Sequence, residues 1–268
     1  MLPIEEVEGT GATALAVPPV ALVPFPSLEK SGPVTEIIRE NPTFDDIPIL
    51  KSFHKDAGKF ITFGLTATKH PETGIRNLGV YRIQILDSTH ALMHWQKHKR
   101  GAEHHDLTKS TKTEVAIVIG GEPATVFSGV APVPEGLDKY LFAGITRKKG
   151  IKMIKCKTID VEVPANAEIV LEGYVDSSDI RDEGPFGDHT GYYTLEEPYP
   201  VMKVSAVTMK KDRTFLATVV GKPPLEDKYM GWATGKIFFP LLKTTVPNMY
   251  QYFALNFLSI VHPLLKVL

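Results

Sequence analysis

Lys59-Phe-Ile-Thr-Phe-Gly-Leu-Thr-Ala-Thr68, Lys69-His-Pro-Glu-Thr-Gly74 and Leu78-Gly-Val-Tyr-Arg-Ile-Gln-Ile-Leu86 follow one another closely in this chain. The first and third runs are rich in Val, Ile, Phe, Tyr and Thr, whose branched or aromatic side chains suit a pleated surface. The middle run holds proline and glycine, which respectively fix and free the backbone as a turn requires. Together they predict two strands joined by a turn. Further strand-like runs are Val115–Ile119, Thr125–Ser128, Ile151–Thr158, Ile169–Tyr174, Val201–Met209 and Thr214–Val220, with Lys210-Lys-Asp-Arg213 as a hairpin loop between the last two. Helices are expected only over His98–Thr108, Asp138–Ala143 and Gly231–Val246. Many short strands and few helices predict a mainly β chain with some α, built as a barrel or a sandwich. No internal repeat or P-loop is visible, and no G-x-G-x-x-G follows a strand.

The chain has 268 residues, 43% of them hydrophobic, which is ample for a sizeable core. A net charge of −1 argues against an electrostatic nucleic-acid binder. The single cysteine, Cys156, builds neither a disulfide framework nor a thiolate zinc site. Lys155 and Lys157 beside it would depress its thiol pKa, whereas an inward strand position would leave it inert. No apolar run is long enough to span a bilayer. Ala14–Pro26 is broken by prolines and preceded by Glu5, Glu6 and Glu8, a poor signal peptide, so the expected location is cytoplasmic. Residues 1–34 read as an irregular, Pro-rich arm and 35–247 as the folded domain. Residues 248–268 form an apolar end, expected to be truncated or foreign to the fold.

Chemistry concentrates in Glu183-Gly-Pro-Phe-Gly-Asp-His-Thr-Gly-Tyr-Tyr193. Glu183 and Asp188 bracket a turn that glycine and proline hold in a defined shape. Two like charges so close favour a raised pKa for one of them, as acid–base chemistry at neutral pH needs. The same spacing also suits a surface loop with solvated acids. In Arg76-Asn77-Leu-Gly-Val-Tyr-Arg82, strand alternation puts Arg82 on the face of Val80, where its planar fork would hold a carboxylate or a phosphate. The histidine-rich patch His94, His98, His104 and His105 has helical spacing suited to a metal. Lys97, Lys99 and Arg100 among them favour an anion instead. Lys222-Pro-Pro-Leu-Glu-Asp227 reads as a rigid strand exit that can wall a pocket.

At these residues the chain resembles the UbiD-type decarboxylases, enzymes that use prenylated FMN. The matching segments are Asp56–Thr62, Pro71–Arg82, His94–His98, Pro132–Gly136, Glu168–Gly173, Glu183–Tyr192 and Leu216–Asp227, in the family's order. The resemblance implies a central flavin-binding split β-barrel, with the family's N- and C-terminal domains largely missing. It implies a catalytic trio of Arg82, Glu183 and Asp188, in which Asp188 gives a proton to the centre left by CO₂. Cofactor contacts carried over from the family fall on Asn77, Gly79, Val80, Tyr81, Arg82, Lys97, His98 and Pro132. A divalent metal, usually manganese, with potassium would bridge the cofactor phosphate, ligated by Asn77 and His98. The family's third ligand, a glutamate, falls on Lys139, which cannot ligate a cation while protonated. Either Asp138 or Glu135 substitutes, or the lysine contacts the phosphate itself, or metal binding is impaired.

The implied function is non-oxidative decarboxylation of an aromatic or α,β-unsaturated acid such as a 4-hydroxybenzoate derivative, a step of the kind found in ubiquinone biosynthesis. A flavin prenyltransferase would supply the cofactor, full-length relatives would form homo-oligomers, and a polyprenylated substrate would bring the chain to a membrane surface. Two other readings compete: a flavin-binding module inactive by itself, and a metal-dependent hydrolase built on the histidine patch.

Overall fold

The computed structural model describes residues 23–39, 41–95, 100–108, 112–134 and 136–245. In chain order these form β1 (Ser27–Leu28), β2 (Ile37–Arg39), β3 (Phe60–Lys69), β4 (Arg76–Ile85), β5 (His90–Met93) and α1 (Arg100–Leu107). Then come β6 (Thr113–Ile119), α2 (Pro123–Val130), α3 (Lys139–Arg147), β7 (Lys152–Lys155), β8 (Glu162–Pro164), β9 (Ile169–Glu183), β10 (Glu197–Met209) and α4 (Glu226–Thr245).

The hairpin read from sequence is β3 and β4, paired antiparallel from Phe60↔Gln84 to Lys69↔Arg76. From it the sheet runs β10-β5-β4-β3-β6-β9, and β9 then pairs with β10, so six strands close into a barrel with β2 added beside β10. Closure leaves few free edges. Ile61, Ile83, Met93, Ile117, Leu171 and Met202 fill the interior. Each such side chain removed from water is worth about 1.5–3 kcal/mol. The outer face of β3 and β6 is covered as well, by Tyr140 and Ala143 of α3 and by the small β1-β7-β8 sheet. Burial on both faces explains why β6 reads Val-Ala-Ile-Val-Ile rather than alternating.

Several expectations need correction. Thr125–Ser128 is not a strand but lies inside α2. Glycines 120 and 121 at positive φ end β6, and Pro123 opens a helix whose Gly129 packs against Leu65 and Val80, so tertiary packing overrides the β propensity of Thr and Val. Thr214–Val220 joins no ladder among the described residues, so Lys210–Arg213 is not a hairpin loop. Its backbone is held at Thr218 by the Thr62 hydroxyl, and Phe215 and Leu216 pack against the barrel core. The strand expected over Ile151–Thr158 shortens to β7, and β1, β2, β5 and β8 went unread. β1 lies within the expected irregular arm, paired with β7. Burial and the nearby Glu172 push the Cys156 thiol up rather than activating it. Among the described residues no helix is long and apolar enough to cross a membrane.

Candidate active site

Alternation along β4 sets the site. Val80 packs with the outer cluster and Tyr81 with the barrel core, so Arg82 leaves the core face, as the sequence predicts. There it meets the end of β9 and the loop beyond. The Gly184 N–H donates to Gln84 Oε1 at 2.8 Å, tying that loop to β4. Gly184 has φ +103° and Gly191 φ +84°, both in the region that glycine alone enters without strain. Asp56 staples the loop from below, accepting the Gly187 N–H at 2.9 Å and the Phe53 N–H at 2.8 Å. A side chain at Gly187 would strike the Phe53 ring. The acids therefore sit on a stiff turn.

The Arg82 guanidinium grips Glu183 with both prongs, Nε to Oε1 at 2.8 Å and one terminal nitrogen to Oε2 at 2.9 Å. The other terminal nitrogen reaches Asp188 at 3.4 Å, and the guanidinium lies over the Phe186 ring, 4.8 Å from its centroid. The side chain of Glu183 is 0% exposed, that of Arg82 11% and that of Asp188 23%. Burial alone would raise the Glu183 carboxyl, but the His94 ring at 3.0 Å and Arg82 outweigh it and hold it below its ordinary value.

Asp188 corrects an expectation. The like charges predict a raised pKa for one of the two acids, and the proton-donor role falls on Asp188, yet its carboxyl is held low. Burial pushes it up, but the His189 ring at 2.9 Å, the His189 backbone N–H at 2.8 Å and Arg82 prevail. The raised carboxyl is instead Glu226, at the start of α4, pushed up by burial and by the neighbouring Asp227 and Asp188. His189 also lies 3.8 Å from Asp227, while its buried Nε2 and the buried Glu226 Oε2 have no hydrogen-bond partner among the described residues.

Sequence reasoning thus missed His94, His189, Glu226 and Asp227. His94 had been grouped with the metal patch, and Glu226 and Asp227 had been read as a strand exit. The one available signal for His189 was its place immediately after Asp188.

The other expected contacts lie at the opposite end of β4. Gly79 lets the Tyr81 ring lie flat, since a Cβ there would clash with it. Asn77 is 5% exposed, and its Nδ2 has no acceptor among the described residues. Val80 packs on Gly129 of α2, while Pro132 is exposed in the loop after α2. Lys139 sends its ammonium to the carbonyls of Leu78 at 2.7 Å and Gly129 at 2.9 Å. Lys97 and His98, and with them Glu135, lie outside the described residues.

The described donors do not fit the implied divalent metal, because an ammonium stands at the position that the resemblance gives to the third ligand. Asp138 does not substitute, since it caps α3 through the Tyr140 N–H at 2.7 Å and pairs with Arg76. Nor does the histidine patch assemble among the described residues. His94 bonds Glu183, His104 bonds Thr68 at 2.9 Å and His105 bonds Thr113 at 2.9 Å. No group of three His, Cys, Asp or Glu side chains suited to a metal occurs there.

A cavity of about 610 Å³ opens at the Arg76 end of β4, lined in part by Lys69, Arg76, Asp138 and Glu162. Those charges neutralise one another, and the Arg82 cluster does not line it. The chemistry favours the Arg82 cluster.

Comparison with known proteins supplies the frame. Residues 27–223 match the model of the 3-octaprenyl-4-hydroxybenzoate carboxy-lyase Rift-related domain, UbiD. An uncharacterized protein of Aquifex aeolicus is 50% identical over 232 residues, covering 85% of this chain and 48% of its own length. The fold is similar to that of vanillic acid decarboxylase from Sedimentibacter hydroxybenzoicus in closed form, with TM-score 0.79 and 26% identity over 84% of this chain and 50% of that one. An evolved dimeric form of the UbiD-class enzyme HmfF from Pelotomaculum thermopropionicum, in complex with prFMN, aligns with TM-score 0.76 and 25% identity. It covers 87% of this chain and 56% of that one. The chain spans about half the length of the Aquifex relative and of another from Archaeoglobus fulgidus, and about a third of two from Helicobacter pylori.

Proposed function

Because the chain belongs to the UbiD family of carboxy-lyases, we propose that it holds a prenylated flavin along β4 and decarboxylates an aromatic or α,β-unsaturated carboxylic acid. The observation that carries this reading is the buried Arg82–Glu183–Asp188 cluster, a guanidinium shared between two acids on one rigid turn. The buried amide of Asn77, with no acceptor among the described residues, suits the flavin phosphate, since a buried donor without an acceptor costs about 1–3 kcal/mol until a ligand satisfies it. When bound, the modified flavin supplies the electron sink that decarboxylation needs and side chains lack. Manganese and potassium are not part of this reading, because of Lys139. The cofactor would come from a flavin prenyltransferase in the cytoplasm. Homo-oligomers and a membrane-associated polyprenyl substrate are the corresponding proposals for a longer chain.

Arg82 binds and orients. Two of its prongs are fixed on Glu183, so the third, now loosely on Asp188, is the one that turns to the substrate carboxylate. Glu183 keeps the guanidinium in place and remains ionised. Asp188 moves the proton. In the resting chain it is ionised, but a bound carboxylate both diverts the Arg82 prong and adds a like charge, and each effect raises its pKa. Asp188 then takes up a proton, with the His189 ring held against it at 2.9 Å. As the C–C bond breaks, CO₂ leaves, the electron pair stays with the substrate carbon, and Asp188 protonates that carbon. The reaction consumes one proton and needs no oxidant.

The test is co-expression with a flavin prenyltransferase, then visible spectra and CO₂ release from 4-hydroxybenzoate and cinnamate. Bound modified flavin with turnover of either acid is expected. Bound flavin without turnover would leave only a flavin-binding module, and a colourless protein would remove both readings.

A further inference from the structure

Lys139 is held as a built-in cation. Two backbone carbonyls converge on its nitrogen, Leu78 from β4 and Gly129 from the last turn of α2, where the helix dipole is negative. Carbonyl oxygens of this kind are ligands for hard cations. Gly129 has no side chain to intervene, because a Cβ there would collide with Leu65. The root of the lysine is fixed as well, since Asp138 before it caps α3 and pairs with Arg76. A metal ion bonded to either carbonyl would sit about 2.3 Å from that oxygen and directly against the ammonium. Next to Leu78 on the same strand, Asn77 is 5% exposed and its Nδ2 has no acceptor among the described residues. A buried amide donor one residue from the carbonyl that holds this ammonium favours an anion, and among the described residues neither side chain brings a carboxylate for a divalent ion.

We propose that Lys139 takes the place of the divalent metal at this end of β4, so that the chain captures a flavin phosphate without metal. This rests on the flavin reading above. The positive charge is supplied by the sequence itself and does not depend on metal supply.

The test uses the whole chain, stripped of metal and titrated with FMN by quenching of flavin fluorescence, in EDTA and again in manganese, with metal content measured by mass spectrometry. The expected result is the same dissociation constant within about twofold in both buffers, and far less than one metal ion per chain. Lys139→Met should weaken FMN binding about 10- to 100-fold, the scale of a lost charge-assisted hydrogen bond. Lys139→Glu should restore binding only with manganese. Binding of FMN by the unaltered chain that requires manganese, with about one ion bound, would overturn the proposal and leave the flavin reading intact. Failure to bind FMN in either buffer would overturn both. The titration of the unaltered chain stands even if a variant does not fold.

Discussion

The two ends of β4 carry charge in opposite ways. At the Arg82 end the protein answers its own charges: a fully buried carboxylate has a two-pronged guanidinium and an imidazole, and a second acid has a histidine and the remaining prong. At the Asn77 end a buried amide has no acceptor among the described residues, and the next residue's carbonyl holds a lysine ammonium. On the proposed reading the first arrangement stores and moves a proton. On the same reading the second holds an anion. Five residues of strand separate them, about 17 Å at ~3.3 Å per residue, a span suited to a ligand with a phosphate tail and a reactive ring.

Breaking the first end should cost most in rate. Asp188→Asn is expected to lower CO₂ release by about 10²- to 10⁴-fold, the range for a lost general acid, while the visible flavin spectrum is retained. Arg82→Ala should cost stability as well as turnover, because it leaves Glu183 buried without its main partner. A loss of about 3–5 kcal/mol in urea unfolding is expected at pH 7, and Arg82→Lys should lose less. The sign with pH follows from the depressed Glu183 carboxyl. Its contribution is complete above the unfolded pKa near 4.5 and fades as pH falls through the lower folded value, so the variant and the parent should converge in acid.

Near the second end lies a different titration. Thr68, opposite Asn77 in the ladder, bonds His104, whose pKa burial, with His70 and Arg100 nearby, lowers to about 4. A folded pKa below the unfolded 6.5 means that stability is full above pH 6.5 and is lost as pH falls towards 4, by up to about 3 kcal/mol. His104→Gln should flatten that part of the stability–pH curve, measured by denaturant melts at pH 7 and 5. The smallest effect is expected at Glu226, whose raised carboxyl is costly to ionise. Glu226→Gln should raise the melting temperature slightly at pH 7 and change nothing near pH 3, where both are neutral.

What the sequence revealed divides by range. The β3–β4 hairpin was legible because its signals are local: branched residues flanking a Pro/Gly turn. The position of Arg82 was legible for the same reason, since alternation is a property of the strand alone. Closure of the barrel was not legible. It depends on β9 pairing with β10 through two register shifts, which no local pattern encodes. Thr125–Ser128 misled because its β propensity yielded to packing of α2 on β4. At the site, the acids and the arginine were found together, but the direction of the Asp188 shift was misjudged. Counting only its like-charged partner omitted His189, the next residue, and α4, which the chain brings back from some forty residues away.

The most direct test follows the proton. The chain, loaded with prenylated flavin, is given 4-hydroxybenzoate or cinnamate in D₂O for a single turnover, and the product is analysed by mass spectrometry beside the same reaction of Asp188→Asn. The expected outcome is one deuterium on the carbon that lost CO₂ with the parent chain, and no released product with the variant although its flavin spectrum is unchanged. Deuterated product formed by Asp188→Asn at the parent's rate would contradict the assignment of Asp188, and with it the proton-handling role of the Arg82 end.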